Sequence, residues 1–353
     1  MLALAAQPIT WSTPDMPRLG CILIPCLFIA SLAQAAPHPC SSEPDQGKRL
    51  ACFDREFPAA AAPVAASAPT TSSERPFSVL SERWELQPQD KTGTFQFRFH
   101  APIYLLPVKY SSAVNRAPSS PSRGSVGDAL SPFGVNELEW DAVEAKFQLS
   151  FKVKAFENMV GDNGDLWFGY TQQAYWQVYT KDLSSPFRET NYAPELINTW
   201  RTDLSFLGMR MSMLNLGLIH QSNGKSGVVS RSWNRIYAQA GLERGGFSML
   251  VRPWYRMSED PEKDDNPDIE NYVGRGDLIL AYKTGQHVFS AVGRHSLRGG
   301  DENHGSLQFD WAMPITGKLK GHLQVFTGYG ESLIDYNHRQ TTFGLGISLA
   351  EWL

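Results

Sequence analysis

Apolar and polar side chains alternate along most of the chain after about residue 99, in segments of roughly ten residues. In VEAKFQLSFKVKAF, the odd positions from Val143 to Val153 are apolar and the even positions from Glu144 to Lys154 are polar. A period of two places each set of side chains on its own face of a β-strand. Gly, Asn, Asp and Pro turns separate about twelve such segments, which predicts an all-β fold. The clearest other segments are 165–179, 306–313 and 341–353, with weaker ones between about 191 and 300.

Two architectures produce this alternation. A transmembrane β-barrel turns its apolar faces outward to lipid, whereas a soluble β-sandwich or lipocalin-like barrel buries them. Trp and Tyr near strand ends and the lysines of the 143–156 segment favour the membrane, although a sandwich also accepts lysines on a solvated face. These features, together with the export signal described in the next paragraph, predict a twelve-stranded antiparallel transmembrane β-barrel over residues 99–353. The soluble sandwich is the alternative.

The longest apolar run lies near the N-terminus, as LGCILIPCLFIASLAQAA from 19 to 36. It follows the positively charged Arg18 and ends in small residues, an order typical of a secretory signal peptide. A buried N-terminal helix is the alternative, and a membrane-spanning helix fits the pattern less well. We predict that residues 1–35 are a signal peptide, with Met16 as a second candidate start.

Residues 36–98 are predicted to be a periplasmic N-terminal segment. It contains the low-complexity linker AAAAPVAASAPTTSS from 59 to 73, which has almost nothing to bury. Cys40 and Cys52 precede this linker and are the cysteines left after removal of the signal peptide. In an oxidising compartment they could form a disulfide, but two cysteines give no spacing pattern to check. A bond and two free thiols both remain open.

Charge excludes one class of partner. The net charge is −4, and the Lys and Arg residues are scattered along the chain rather than clustered. No basic surface of the kind that attracts a phosphate backbone is expected, so we predict no nucleic-acid partner.

The segment MSMLNLGLIHQS, residues 211–222, ends in a histidine and a serine two positions apart. On a strand, His220 and Ser222 share one face and extend its leucine stripe toward lipid. On the return strand, Arg231 and Arg235 would be costly in lipid and should face the lumen, so Asn234 faces outward. Three polar side chains are therefore expected at the rim of a lipid-facing surface.

These three residue types suit ester hydrolysis. A serine hydroxyl becomes a good nucleophile when an imidazole takes its proton, and a third group must hold the ring in the useful tautomer. Ser222, His220 and Asn234 could supply these parts, with a membrane lipid as the natural substrate. H-x-S is a weak motif by itself, so a passive barrel that acts as a channel or structural protein is the alternative.

Several motifs in order along the chain make the prediction specific. They resemble the bacterial outer-membrane phospholipase A family, from about residue 99 to the C-terminus. The resemblance implies a twelve-stranded barrel in the outer membrane of a Gram-negative bacterium, and calcium-dependent hydrolysis of phospholipids and lysophospholipids. By motif position it makes Ser222 the nucleophile, His220 the general base and Asn234 the residue that orients the histidine. The motifs are SSPFRETNY (184–192), HQSNG (220–224), SRSWNR (230–235), DDNPDI (264–269) and YGESLIDYN (329–337).

The resemblance also implies a homodimer with Ca²⁺ sites shared between subunits. The ligands would be the Ser230 side chain and the Lys225 backbone carbonyl of one chain, and Ser184 of the partner subunit. Lys225 stands where the family often has Arg, which matters little if only the carbonyl binds. Gly227 stands where relatives can carry an acidic residue that helps to form a separate calcium site in the monomer. That second site is therefore not predicted, and Asp264–Asp265 are expected to be an ordinary solvated turn.

Gln172 is the one clearly polar side chain on an otherwise lipid-facing stripe of its strand. An amide in hydrocarbon needs a hydrogen-bond partner, and the same residue across a two-fold axis is one candidate. An inward tilt or a local β-bulge is the alternative. The resemblance favours a dimer contact at Gln172.

Overall fold

The computed structural model of the protein describes residues 39–56, 78–133 and 137–352. The predicted signal peptide and the predicted linker lie outside these ranges. The chain divides into two compact units, residues 1–73 and residues 74–353. No helix within the described ranges combines the length and the apolar character that crossing a membrane requires.

The described part of the first unit is a small helical element. A 3-10 turn at Pro39–Ser42 precedes helix α1, Gln46–Glu56. Cys40 and Cys52 form a disulfide that joins the turn to the helix. Of the two possibilities that the sequence left open, the bonded one is found, and it fits export to an oxidising compartment.

The second unit consists mainly of antiparallel strands that pair in chain order. Its strands are β1 Phe97–Phe99, β2 Ile103–Ser111, β3 Ser119–Ser120, β4 Gly124–Ser125, β5 Val143–Phe156, β6 Asp165–Trp176, β7 Phe187–Phe206, β8 Met209–Ser222, β9 Ser232–Arg244, β10 Phe247–Arg256, β11 Gly276–Thr284, β12 His287–His295, β13 Gly305–Thr316, β14 Leu319–Tyr329 and β15 Arg339–Ala350. Strands β5 to β15 follow one another, and β15 pairs with β2, which pairs with β5 and closes the sheet. β1 extends β2 along the far half of β5, and β3 and β4 form a separate hairpin. The predicted twelve-stranded antiparallel barrel is confirmed, with β2 and β5–β15 as its wall.

The two faces of the wall have opposite character. On β8, the leucines at 214, 216 and 218 are exposed on the outside, Leu216 to 51%. On β5, Lys146 and Lys152 are buried in the interior. A soluble sandwich would bury its apolar stripe, so the sandwich alternative is wrong. The strand pattern instead has its apolar side toward lipid.

Paired charges fill the interior near one end of the barrel. The segment between β14 and β15 folds inward and brings carboxylates to cations on the wall. Such pairs satisfy charges that would be costly to bury alone. They join Lys146 to Glu331 (3.1 Å), Lys109 to Glu144 (2.9 Å), and Arg188 to Glu144 (2.9 Å) and to Asp335 (2.8 Å).

The two ends of the barrel differ in the length of their connections. At one end the β7–β8 turn is Leu207–Gly208, with φ of 50° and 73°, as a tight two-residue hairpin requires. At the other end are loops such as 112–142 and 257–275. Outer-membrane barrels keep short turns in the periplasm and long loops outside, so His220 and Ser222 lie at the outer end. The remaining short elements there are helix α3, Val126–Leu130, and 3-10 turns at Ser131–Phe133, Lys181–Leu183, Gly227–Val229, Ile269–Asn271 and Gly300–Glu302.

A short helix covers the opposite end. Helix α2, Val79–Trp84, begins at the N-cap Ser78, whose hydroxyl also donates to Glu243 at 2.6 Å. Trp84 packs edge-on against Trp167 of β6, with ring centroids 6.1 Å apart. A 3-10 turn at Pro88–Asp90 follows. This compact unit therefore starts ahead of residue 99, because helix α2 packs its buried side chains Val79, Leu80 and Trp84 at the periplasmic end.

Candidate active site

Strand register brings the three predicted catalytic residues together. β8 and β9 pair so that His220 is opposite Asn234, and Ser222 is opposite Ser232. His220 is exposed, and Ser222 and Asn234 are partly exposed, on the same outward face as the β8 leucines. Arg231 and Arg235 point inward and are buried, as strand parity predicts. All three side chains therefore lie at the outer rim, facing the lipid.

The hydrogen bond between His220 and Asn234 orients the ring. His220 Nδ1 lies 2.8 Å from Asn234 Oδ1. An amide oxygen only accepts, so Nδ1 carries the proton and Nε2 is left as a base. Within the described residues no hydrogen bond joins Ser222 to the ring. The two residues are about two strand rises, roughly 7 Å, apart, and catalytic hydrogen bonds often tighten only when substrate binds.

Glu259 is a residue of this site that the sequence did not reveal. It lies in the β10–β11 loop, and its Oε1 accepts a 3.1 Å hydrogen bond from Asn234 Nδ2. The loop is tied to the strand because Met257 N donates to Asn234 O at 2.9 Å. Burial, and then the neighbouring Asp264 carboxylate, raise the pKa of Glu259 above its ordinary value. Loop residues have no strand parity, so no sequence signal linked Glu259 to His220.

The three predicted calcium ligands lie on two loops. Ser230 and Lys225 belong to the β8–β9 loop, and Ser184 ends the 3-10 turn in the β6–β7 loop with a φ of 59°. The Lys225 ammonium turns toward Glu189, at 3.2 Å, and also donates to the Arg188 carbonyl. Within the part of the chain that the structure describes, the Lys225 carbonyl accepts no hydrogen bond, so its oxygen is available as a ligand.

This donor set fits calcium. A hydroxyl, a backbone carbonyl and a second hydroxyl are hard oxygen ligands, which Ca²⁺ prefers. Ser230 Oγ donates to Asp265 Oδ2 at 2.7 Å, so a carboxylate stands directly behind the hydroxyl. The described ranges contain no group of three or more His, Cys, Asp or Glu residues that could hold a metal ion. A cation at Ser230 would therefore depend on neutral oxygens supported by Asp265.

The expectation for the 264–265 turn is wrong. Both carboxylates are buried: Asp264 accepts two bonds from Arg256 Nη2, at 2.6 and 2.7 Å. Asp265 Oδ1 lies 2.6 Å from Nε of Arg123, which reaches across from the loop between β2 and β5. Its Oδ2 also accepts from Ser232 at 3.3 Å. The sequence could not reveal this, because both cations approach from other segments of the chain.

Gln172 lies on the outer face of β6. The pairing of β6 with β5 and with β7 is regular at this position, which excludes the bulge alternative. Gln172 Oε1 accepts a 3.1 Å hydrogen bond from the hydroxyl of Tyr170. Its Nε2 makes no hydrogen bond within the described residues. One half of the amide is thus satisfied inside the chain and the other half is not.

Comparison with known proteins gives a consistent result. The family model for phospholipase A1 matches residues 80–349. A Neisseria meningitidis serogroup B protein, provisionally named phospholipase A1, is 43% identical over 277 residues, which are 77% of this chain and 70% of the relative. Phospholipase A1 of Escherichia coli K12 is 41% identical over 206 residues, which are 58% of this chain and 69% of the relative.

Solved structures agree. Outer membrane phospholipase A from Escherichia coli matches with a TM-score of 0.66 and 33% identity, covering 78% of this chain and 100% of that chain. A crystal structure of the Salmonella typhi outer membrane phospholipase, a dimer with bound calcium, matches with a TM-score of 0.64 and 34% identity over 74% of this chain and 95% of that chain. The resemblance read from the motifs is confirmed, as is an outer-membrane location. The chain belongs to the phospholipase A1 family.

Proposed function

We propose that the protein hydrolyses acyl ester bonds of phospholipids and lysophospholipids in the outer membrane, with calcium as cofactor and dimerisation as the activating step. Ser222 is the nucleophile, His220 the general base and Asn234 the orienting residue. The observation that carries the proposal is the 2.8 Å hydrogen bond between His220 and Asn234 on a lipid-facing surface. Membership in a family of carboxylic ester hydrolases gives the class of reaction.

The proposed chemistry uses the ring twice. His220 Nε2 takes the proton of Ser222 as the serine Oγ attacks the ester carbonyl carbon, and it returns that proton to the leaving alcohol. Water then attacks the acyl-serine, and His220 again takes a proton and gives it back to Ser222. The products are a fatty acid and a lysophospholipid, or a fully deacylated headgroup when the substrate has one chain. Asn234 holds the ring orientation through both steps.

Calcium would be held by the Ser230 hydroxyl and the Lys225 carbonyl, with Ser184 of the partner subunit. When bound, it supplies positive charge for the oxyanion of the tetrahedral intermediate. Asp265 fixes the position of the Ser230 hydroxyl from behind, through the 2.7 Å hydrogen bond. Asn234 is neutral and places no negative charge beside the His220 ring. The positive charge of calcium at the oxyanion is therefore more important for the reaction.

Activation by dimerisation follows from the divided ligand set. Ser184 and Ser230 belong to different loops, and the proposed site combines them from two chains. The unsatisfied Nε2 of Gln172 could donate to the same residue of the partner subunit across a two-fold axis. The Salmonella typhi relative, described as a dimer with bound calcium, supports this arrangement.

Substitution of the nucleophile tests the proposal. Purified wild-type protein should hydrolyse phosphatidylcholine in detergent micelles with calcium and stop with chelator. Ser222→Ala should lower kcat by at least about 10³-fold, because the substitution removes the hydroxyl that attacks the ester. The matched control, Ser205→Ala, changes an exposed serine at the periplasmic end of β7 and should keep full activity. Full activity of Ser222→Ala would sink the assignment.

The passive-channel alternative is disfavoured by the filled interior. Helix α2 closes one end of the barrel, and ion pairs such as Lys146–Glu331 occupy the other. Steady ion conductance through planar bilayers that persists in Ser222→Ala, without lipid hydrolysis in the wild type, would favour the channel.

A further inference from the structure

The Asn234 side chain is hydrogen-bonded at both ends of its amide. Oδ1 faces His220 Nδ1 at 2.8 Å, and Nδ2 donates to Glu259 Oε1 at 3.1 Å. His220 lies on β8, Asn234 on β9 and Glu259 in the β10–β11 loop. The chain of two hydrogen bonds therefore joins three neighbouring segments at the rim of the barrel.

The two ends of an amide have nearly the same shape, so packing alone does not decide which end meets the ring. If Asn234 were flipped, its NH₂ would face Nδ1, which would then have to accept, and the ring proton would move to Nε2. A ring protonated at Nε2 cannot take the proton of Ser222. Glu259 decides the orientation, because an ionised carboxylate only accepts and therefore holds the NH₂ end.

No cation neutralises Glu259 directly. Among the described residues it forms no ion pair, whereas Arg256 is held by Asp264 and Arg123 is held by Asp265. The charged side chains that act on Glu259 are Asp264, Arg256 and Asp265. The negative charge of Glu259 is therefore free to polarise the Asn234 amide, whose oxygen contacts the His220 ring.

We propose that Glu259 is a positioning residue for the hydrolysis: it fixes the amide of Asn234 with Oδ1 toward His220 and supplies the negative charge that an Asn in this position lacks. The inference rests on the proposed function. When His220 takes the proton of Ser222, the positive ring is stabilised through the polarised amide by the carboxylate behind it.

Three variants in the full-length protein test this, with phosphatidylcholine micelles and excess calcium. Glu259→Ala removes both the acceptor and the charge and should lower kcat at least tenfold with KM little changed. Glu259→Gln keeps an acceptor without charge and should lie between Glu259→Ala and wild type. In both, the acidic limb of the pH profile of kcat/KM should move to lower pH, because a nearby anion no longer favours the protonated ring. Glu262→Ala, an exposed carboxylate of the same loop, should match wild type.

The outcomes separate this inference from the proposed function. If Ser222→Ala is inactive while both Glu259 variants match wild type, the positioning role is overturned and the proposed function stands. A loss of rate in Glu259→Ala with an unmoved acidic limb in both variants also overturns it, because a merely structural role lowers the rate without shifting that limb. Activity in Ser222→Ala overturns the proposed function itself. Heat-modifiable gel mobility confirms that each variant is folded.

Discussion

Asp265 shows how one buried carboxylate can organise the outer rim. It accepts from Ser230 and Ser232 and pairs with Arg123, which spans from another loop. The hydroxyl of Ser230 is thereby pointed in a fixed direction, and negative charge is kept close to it. Both effects favour a cation beside Ser230.

Asp265→Asn should weaken calcium activation more than maximal activity. The amide can no longer accept at both oxygens, and the negative charge is lost; a charge-assisted hydrogen bond contributes roughly 1.5–3 kcal/mol. The calcium concentration for half-maximal hydrolysis should rise about tenfold or more, with kcat at saturating calcium within about threefold of wild type. Asp260→Asn, on the exposed surface of the same loop, is the control. An unchanged calcium requirement would contradict this role.

At this scale, strand parity predicted the arrangement of His220, Ser222 and Asn234, because their backbone is regular and faces alternate strictly. Glu259 and Arg123 were missed for the opposite reason. They sit on irregular loops, where the position of a side chain depends on long-range contacts rather than on a local period.

Among the elements, helix α2 is one that the sequence pattern did not reveal. Six residues make fewer than two turns, too few for a helical period to stand out, and the neighbouring linker composition suggested a loose segment. The twelve strands of the wall were predictable because each is long enough to show its alternation. Tertiary packing gives α2 its stability: Trp84 is only 4% exposed, and the Lys152 ammonium lies 3.1 Å from the centre of its ring system.

Trp84→Ala should destabilise the folded barrel by about 3–5 kcal/mol, the usual cost of truncating a buried Trp. The substitution would also remove the nearer of the two aromatic rings that contact the buried Lys152 ammonium. The midpoint of urea unfolding, followed by heat-modifiable mobility, should fall. Phe133→Ala, which removes a ring that is 79% exposed in an outer loop, should leave the midpoint unchanged. Equal midpoints for wild type and Trp84→Ala would show that α2 contributes no stability.

At the scale of the whole molecule, the proposed dimer assigns different duties to the two chains. Each site takes its nucleophile and base from one subunit and one calcium ligand from the other. Two inactive chains can therefore complement each other if one has a defect among its catalytic residues and the other has a defect in the calcium ligand that it supplies to its partner.

Mixing Ser222→Ala with Ser184→Ala tests this division. Each variant alone should have low activity. Refolded together in equal amounts, about half of the dimers are mixed, and each mixed dimer holds one complete site, so about a quarter of wild-type activity should return. Ser222→Ala mixed with His220→Ala should recover nothing, because each chain then has a defect among its own catalytic residues and neither site of the mixed dimer is complete. If the first mixture also stays inactive, Ser184 does not act across the interface.

The two ends of the folded unit meet where β2 pairs with β15 and where Arg83 Nη1 donates to Glu351 O at 2.7 Å. Synthesis runs from the N-terminus, so α2 and β2 are made long before the strand that completes their surroundings. The β8–β9 hairpin can pair locally at an earlier stage, but its outward groups reach the outer leaflet only when the final strand has sealed the wall. Closure of the wall between β2 and β15, rather than formation of the hairpin, is therefore the step that completes the lipid-facing surface of the site.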